Sequence, residues 1–517
     1  MLNSVDFSGR PFHFIGIGGI GMSALAYILA KRKLPVSGSD ICLNHITQRL
    51  QEQNVHIFWS QDAANLRFFQ PSQRLISAAA APQETGRNGN GQGANGTSKQ
   101  QELDSTDSTQ LQAVLPQVIC STAIDPKNNS EYRAALESGC PIFHRSDLLA
   151  ALMQDYQSIA VAGTHGKTTT SSMISYLLLQ AELDPTIIVG GEVAAWEGNA
   201  RLGEGPYLVA EADESDGSLV KFSAYVGVIT NIELDHPDHY SSLEQVVETF
   251  QTFAQRCEIL VGSLDCDTVR HKLKPTVSYS LSPELEADYT ATDIVYHPNT
   301  TEAQVWERGT RLGVLNLKLL GQHNLSNALA AVAIGRLLGL KFEAIAPILA
   351  TFTGARRRFE LRGEFNNILL IDDYAHHPSE IQATLTAARL QAAASDPLPR
   401  RVVAVFQPHR YSRTLTFLPE FARSFGNADL VITTEIYSAG EPKLEQVSGQ
   451  QLAEAIAMHH PRAVYQPTLP DVYAYLTETL APGDLVLFLG AGNLNQVIPQ
   501  LNAYYQLADS KVQPQCH

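Results

Sequence analysis

The sequence predicts an α/β protein of three domains, and three observations carry that prediction. Two glycine-rich turns, at residues 16–21 and 163–166, each stand between an apolar strand and a helix. In the last third, the apolar runs 368–371, 402–406, 430–433 and 485–489 alternate with helical stretches, which implies a parallel sheet. A chain of 517 residues also exceeds one core, at roughly 100–200 residues per domain. The expected boundaries are 1–153, 154–353 and 354–517.

Composition narrows the class of partner. A hydrophobic fraction of 44% supports packed cores, and a net charge of -16 argues against nucleic acid or an anionic membrane surface as the main partner. Phosphorylated ligands would need locally concentrated positive charge. The six cysteines are scattered without a C-x-x-C pair and read as reduced cytosolic thiols, so a cytoplasmic location is expected. Residues 12–30 are largely apolar, yet the four glycines at 16, 18, 19 and 21 favour a folded loop over a secretory leader.

The first domain opens with the strand Phe12-His-Phe-Ile15, then Gly16-Ile-Gly18-Gly19-Ile-Gly21, a helix at 22–31, and a second strand running into Asp40. This is G-x-G-x-x-G opening a helix with an acid about 20 positions on, the Rossmann-like fingerprint for a nucleotide diphosphate. Taken alone, the motif also fits an NAD(P)-dependent oxidoreductase, or a turn that only packs helix on strand. Residues 78–112 turn to Gly, Asn, Gln, Ser and Thr, and about 83–109 reads as a disordered surface insertion that interrupts the domain.

In the central domain the strand 158–162 leads into Gly163-Thr164-His165-Gly166-Lys167-Thr168, and a helix follows from Thr169. Strand, glycine turn, Lys-Thr and helix form the order of a P-loop. Its amides and helix N-terminus receive phosphate oxygens, a solvated Lys167 reaches the terminal phosphates, and the Thr168 hydroxyl can hold Mg²⁺. The motif is shortened, because Val161 stands where the full pattern has its first glycine. Glu211-Ala-Asp213-Glu214-Ser-Asp216 follows one apolar strand, and Asn231 to His239, with Asp235 and His236, follows the next. Like charges about 4 Å apart repel by roughly 4 kcal/mol at an effective dielectric of about 20. A helix terminus contributes only about 0.3–1 kcal/mol. A triphosphate beside an anionic acceptor therefore needs Lys167 and at least one Mg²⁺. The domain is expected to be P-loop ATPase-like, on a parallel or mixed sheet.

The third domain is expected to be a second Rossmann-like unit. It places Asp372-Asp373-Tyr374-Ala-His376-His377-Pro378 after one strand and Gln407-Pro-His409-Arg410-Tyr-Ser-Arg413-Thr414 after the next. Two arginines three positions apart suit a carboxylate or a phosphoryl group.

In order along nearly the whole chain, these motifs resemble the Mur ligases: Gly16 to Ala24, Gly163 to Thr170, Glu211 to Asp216, Asp235 to Tyr240, Gly321 to Asn327, Arg357-Arg-Phe359, Asp372 to Pro378 and His409 to Thr414. The first and last look most like the branch that adds L-alanine to UDP-N-acetylmuramate. The resemblance implies an ATP-dependent, Mg²⁺-requiring ligase of peptidoglycan precursor synthesis that works through an acyl phosphate, as a monomer or weak homodimer. A ligase adding a preformed peptide to the same sugar nucleotide is the near alternative. On this resemblance Gly16, Gly18, Gly19, Gly21 and Asp40 would hold the UDP-sugar. Gly163, Thr164, His165, Gly166, Lys167, Thr168, Thr169, His323, Asn324, Asn327, Arg358 and Asp373 would bind ATP, with Thr168, Glu211 and His236 on the metal. Tyr374, His409, Arg410 and Arg413 would receive the amino acid, with Lys167, His376, Arg410 and Arg413 in catalytic roles. The insertion departs from the family pattern. So does Gln251, which stands where some members carry a carbamylated lysine near a second metal.

Overall fold

The computed structural model describes residues 4–69, 114–393 and 399–512, and the insertion at 83–109 lies outside them. Among the described residues, no helix is long and apolar enough to cross a membrane. The chain divides into one unit of residues 1–148 and a second of 149–517.

The first unit holds β1 (Phe12–Ile15), β2 (Val36–Ser39), β3 (His56–Phe58), β4 (Gln117–Cys120) and β5 (Ile142–His144), with α1 (Ile20–Lys31), α2 (His45–Gln51) and α3 (Ser130–Glu137) between strands, and α4 (Arg145–Met153) begins in it and crosses residue 148. Its sheet is wholly parallel, in the order β3-β2-β1-β4-β5. Strand order reverses beside β1, the point where ligands bind in such sheets. A buried polar network braces this core. His13 contacts Ser37 Oγ at 2.9 Å and Glu131 Oε1 at 2.8 Å, while Asn65 Nδ2 donates to the same Glu131 oxygen at 2.8 Å.

The second unit contains two sheets. The first is built from β6 (Gln157–Ala162), β7 (Thr186–Val193), β8 (Gly198–Arg201), β9 (Tyr207–Glu211), β10 (Ala224–Ile229), β11 (Cys257–Ser263), β12 (Val277–Ser280), β13 (Tyr289–Tyr296), β14 (Thr301–Glu307) and β15 (Thr310–Leu317). It is mixed, with antiparallel pairs β13-β14, β14-β15 and β7-β8 flanking a parallel centre. The order β10-β6-β9 is decisive for function, because it puts the ends of both acid-bearing strands on either side of the glycine-turn strand. Helices α5 (Lys167–Gln180) and α8 (Gln322–Leu337) pack over this centre, while α6 (Leu243–Gln255) and α7 (Asp267–Lys272) accompany β11. Met173, Ile174 and Leu177 of α5 join Leu325, Leu329 and Val332 of α8 in one buried cluster.

Past α9 (Phe342–Leu349) comes the second sheet: β16 (Glu360–Phe365), β17 (Ile368–Asp373), β18 (Arg401–Phe406), β19 (Leu430–Thr433), β20 (Ala463–Tyr465) and β21 (Asp484–Leu489). Its order is β16-β17-β21-β18-β19-β20, parallel except for β16. Helices α10 (Pro378–Ala393), α11 (Tyr411–Thr416), α12 (Leu418–Ala422), α13 (Gly449–Ala457), α14 (Leu469–Thr479) and α15 (Val497–Val512) complete it. Every residue of β17 and β21 is buried.

Candidate active site

In the first unit, Gly16 takes φ 79°, a conformation open to glycine without strain. Gly18 N–H donates to Asp40 Oδ2 at 2.7 Å, and Cys42 N–H donates to Oδ1 at 3.1 Å. Asp40 therefore braces the turn with both oxygens. Gly19 caps α1 without a side-chain bond and no acid enters the first turn, so the helix start keeps the partial positive charge that favours an anion. A Cβ on Gly21 would lie 3.2 Å from the Arg145 guanidinium, which brings to the helix start a positive charge that sequence reading did not assign.

The second glycine turn is tighter. Gly163 takes φ 138° and Gly166 φ 80°, and a Cβ on Gly163 would collide with Thr230 Oγ1. Lys167 departs from the solvated lysine expected of this loop. Its side chain is 12% exposed, and Nζ donates to both oxygens of Glu214 at 2.9 Å and to the Gly163 carbonyl at 2.7 Å. Burial opposes its charge, but Glu214, Asp213 and Glu211 more than offset this and raise its pKa above the ordinary lysine value. Glu214 is pushed up to about 7 by burial, against the pull of Lys167.

Thr168 Oγ1 donates to Glu211 Oε1 at 3.1 Å, and Gly190 N–H donates to Oε2 at 2.8 Å. His236 instead groups with Asp213 and Glu214, their ligand atoms lying within 4.8 Å of one another. The expected metal set is thus brought together in two parts, with Asp213 and Glu214 added to it. Three carboxylates face the single ammonium of Lys167. That excess of hard oxygen donors fits a divalent cation such as Mg²⁺. Gln251 lies apart from these acids in its bonding, donating to the Lys272 carbonyl at 3.2 Å.

A cavity opens beside the turn, lined by His165, Gly166, Thr169, His323, Asn324, Asn327, Arg358 and Asp373, together with Ser379 and Glu380. Eight of the predicted nucleotide residues thus meet on one surface. Burial, reinforced by Arg358, lowers His323 to about 4 and keeps it neutral. Asp373 is an organiser as well as a lining group. Its carboxylate accepts from Phe359 N–H at 2.7 Å and Ala375 N–H at 2.8 Å, and burial raises it to about 6. The two ring nitrogens of His165 lie 3.2 Å from Glu380 and 3.5 Å from Glu233, and Glu233 Oε2 accepts from Ser379 Oγ at 2.6 Å.

Residues of the last sheet form the other wall. Tyr374 lies under the guanidinium groups of Arg357 and Arg358, at 4.9 and 5.2 Å from the ring centre. The His376 and His409 rings stand 5.8 Å apart, and burial lowers both, His376 to about 4. Arg413 is placed less openly than an amino-acid ligand would be. Its side chain is 2% exposed, Nε donates to Asp235 Oδ1 at 2.8 Å, and Nη1 lies 3.2 Å from His409 Nδ1. Arg410 adopts φ 71° and ψ 138°, unusual for any residue but glycine, while Nη1 reaches Asp238 at 3.1 Å and Glu441 at 3.2 Å. Arg410→Ala and Arg410→Gly lose the same two ion pairs, but only glycine also relieves about 1–3 kcal/mol of strain, against about 0.5–1 kcal/mol of added chain entropy. Arg410→Gly is therefore expected to melt at or above Arg410→Ala while turnover falls in both; a clearly lower melting temperature for the glycine variant would refute the strain.

Sequence reading missed Asp213 and Glu214 as individual groups, Glu233, Arg145 and Glu380. Glu380 stands in the first turn of α10, where an acid is ordinary, so no local signal separates it from a capping residue.

Known proteins match this chain along its length. The family models match as follows: Mur ligase family, catalytic domain, over residues 11–157; Mur ligase middle domain over 161–335; and Mur ligase, glutamate ligase domain, over 357–492. A "UDP-N-acetylmuramate--L-alanine ligase" of Nostoc punctiforme is 65% identical over 501 residues, covering 97% of this chain and 98% of that protein. The protein of the same name from Trichormus variabilis is 63% identical, over 97% and 98%. The crystal structure of a UDP-N-acetylmuramate-alanine ligase from Thermotoga maritima superposes with a TM-score of 0.76 at 26% identity, covering 96% of this chain and 100% of that one.

Proposed function

Because the chain belongs to the Mur ligase family, we propose that it joins L-alanine to the lactyl carboxylate of UDP-N-acetylmuramate with conversion of ATP to ADP and phosphate. The observation that carries this reading is the 65% identity with a ligase of that name over 97% of the chain. The NAD(P)-dependent oxidoreductase drops out, since it accounts for the first glycine turn alone.

In the reaction, a lactyl carboxylate oxygen attacks the γ-phosphorus and ADP leaves, giving an acyl phosphate. The alanine amine then attacks the acyl carbon, loses a proton, and phosphate departs. Residues 1–153 would hold the UDP-sugar, its diphosphate at the α1 amides in the turn braced by Asp40. Residues 154–353 would hold ATP, with His323, Asn324, Asn327, Arg358 and Asp373 around the nucleoside and Lys167 leaving Glu214 for the transferred phosphoryl group. Thr168, Glu211 and His236, with Asp213 and Glu214 close by, would hold Mg²⁺, which when bound supplies neutralising charge. Residues 354–517 would bring Tyr374, His376, His409 and Arg410 to the amino-acid side, with Arg413 steadying Asp235 and His409.

ADP release with UDP-N-acetylmuramate plus alanine, serine, glycine or a tripeptide tests the assignment. Release with the tripeptide and not with alanine would move the protein to the peptide-adding ligases. Glu211→Ala and His236→Ala are each expected to raise the Mg²⁺ concentration needed for half-maximal rate. An unchanged Mg²⁺ dependence in both would make these residues structural.

A further inference from the structure

Glu380 gathers more donors than a capping acid needs. Its Oε2 accepts from the backbone N–H of His376 at 3.0 Å and of His377 at 3.2 Å, and lies 3.2 Å from His376 Nδ1. Its Oε1 lies 3.2 Å from His165 Nδ1. The carboxylate is held well below its usual range, with burial opposed by the adjacent His376, His165 and Arg358, so it is an acceptor only.

This fixes a tautomer. His376 Nδ1 faces Glu380 and also the Tyr374 carbonyl, at 2.9 Å, and neither oxygen can donate. A neutral imidazole between two acceptors must carry its proton on Nδ1 and its lone pair on Nε2. The other oxygen of Glu380 reaches a residue whose backbone is pinned on both sides. His165 N–H donates to Asn231 Oδ1 at 2.8 Å, and its carbonyl accepts from Thr230 Oγ1 at 2.6 Å. One carboxylate therefore joins the phosphate loop after β6 to the imidazole after β17.

We propose that Glu380 is a positioning residue of the ligation: it holds the His376 loop through two backbone N–H bonds, reinforces with its charge the Nδ1–H tautomer that the Tyr374 carbonyl selects, and lies against His165 of the phosphate loop, so that His376 Nε2 is presented as an acceptor to the incoming amine. This rests on the ligase reading above. His376 touches the amino acid, and Glu380 acts on the rate through it. Glutamine keeps the size of the side chain but is uncharged and puts an NH2 donor where one carboxylate oxygen stands, so Glu380→Gln loses the negative charge beside both imidazoles and reverses the polarity of one contact.

Glu380→Gln is expected to lower kcat by about 10- to 100-fold at saturating substrates, the cost of removing a group that orients a functional histidine. In a His376→Ala background the same change should cost less than about twofold more, because residues that act as a unit are not additive. A kcat within about twofold of the parent, or an undiminished penalty in the His376→Ala background, would overturn the proposal. Melting curves accompany each variant, and if Glu380→Gln does not fold, Glu380→Asp, with a shorter reach to both imidazoles, is read by the same cycle. The unaltered protein runs alongside: no ADP release with UDP-N-acetylmuramate and L-alanine would sink the ligase reading, whereas normal release by both parent and Glu380→Gln sinks this proposal alone.

Discussion

Lys167→Ala is expected to cut ADP release by about 10²–10³-fold, the scale seen when one preorganised donor to a developing anion is removed. Arg358 reaches the loop only at Thr168 Oγ1, at 3.4 Å, whereas Lys167 Nζ already sits against the Gly163 carbonyl. The same substitution should also lower the melting temperature. It leaves Glu214, 2% exposed, without the cation that faces both of its oxygens; the carboxyl, already pushed up to about 7 by burial, then takes up a proton, and the cost is that of an unsatisfied buried polar group, about 1–3 kcal/mol. Adding Glu214→Leu to Lys167→Ala removes the stranded polar group, so the melting temperature should recover while activity does not. A folded Lys167→Ala protein with near-parental ADP release would end the assignment of this loop to phosphoryl transfer.

Arg413→Ala carries the next largest expected effect, and acts on stability and rate together. The guanidinium is 2% exposed and Asp235 5%, and the pair joins α11 to the loop after β10. Leaving Asp235 buried alone should cost about 3–5 kcal/mol. Displacing His409 and the His236 loop should slow ligation by on the order of a hundredfold, as small misplacements of reacting groups do. Calorimetric binding of UDP-N-acetylmuramate should persist, because the first glycine turn lies in the other unit. Replacing both partners, Arg413→Met with Asp235→Leu, should restore the melting temperature and not the rate. Loss of sugar-nucleotide affinity with an unchanged dependence on alanine would place Arg413 in the wrong pocket.

Much of this site was legible in the chain because it is local. Strand, glycine turn and helix are neighbours in sequence, and acids following a buried strand emerge at a strand end wherever that strand sits in its sheet. What the chain does not print is strand order. That β9 and β10 flank β6, and so bring Glu211 to Thr168 and Asn231 to His165 of the same loop, is a tertiary fact. The choice of partner is equally non-local. Arg413 reads as a cation waiting for a ligand until Asp235 is found 178 positions away, and Lys167 reads as solvated until Glu214 meets it. The antiparallel run β13 to β15 was also missed, since its half-exposed strands lack the long apolar runs that mark the parallel ones. Glu380 was invisible for the opposite reason: its local role in a helix first turn is sufficient to explain it.

The place of β21 bears on how the chain is made. It lies between β17 and β18, yet it leaves the ribosome more than seventy residues after β18. Until residues 484–489 emerge, β17 and β18 each present an unsatisfied edge of buried-type residues, the kind of surface that recruits other chains. The final sheet cannot close progressively as synthesis proceeds, and its central pairing is long-range and therefore slow. Termination between residues 406 and 484 would then yield an aggregation-prone chain with a sheet split down its middle, not a shortened enzyme, and chaperone demand should peak while that stretch is being made.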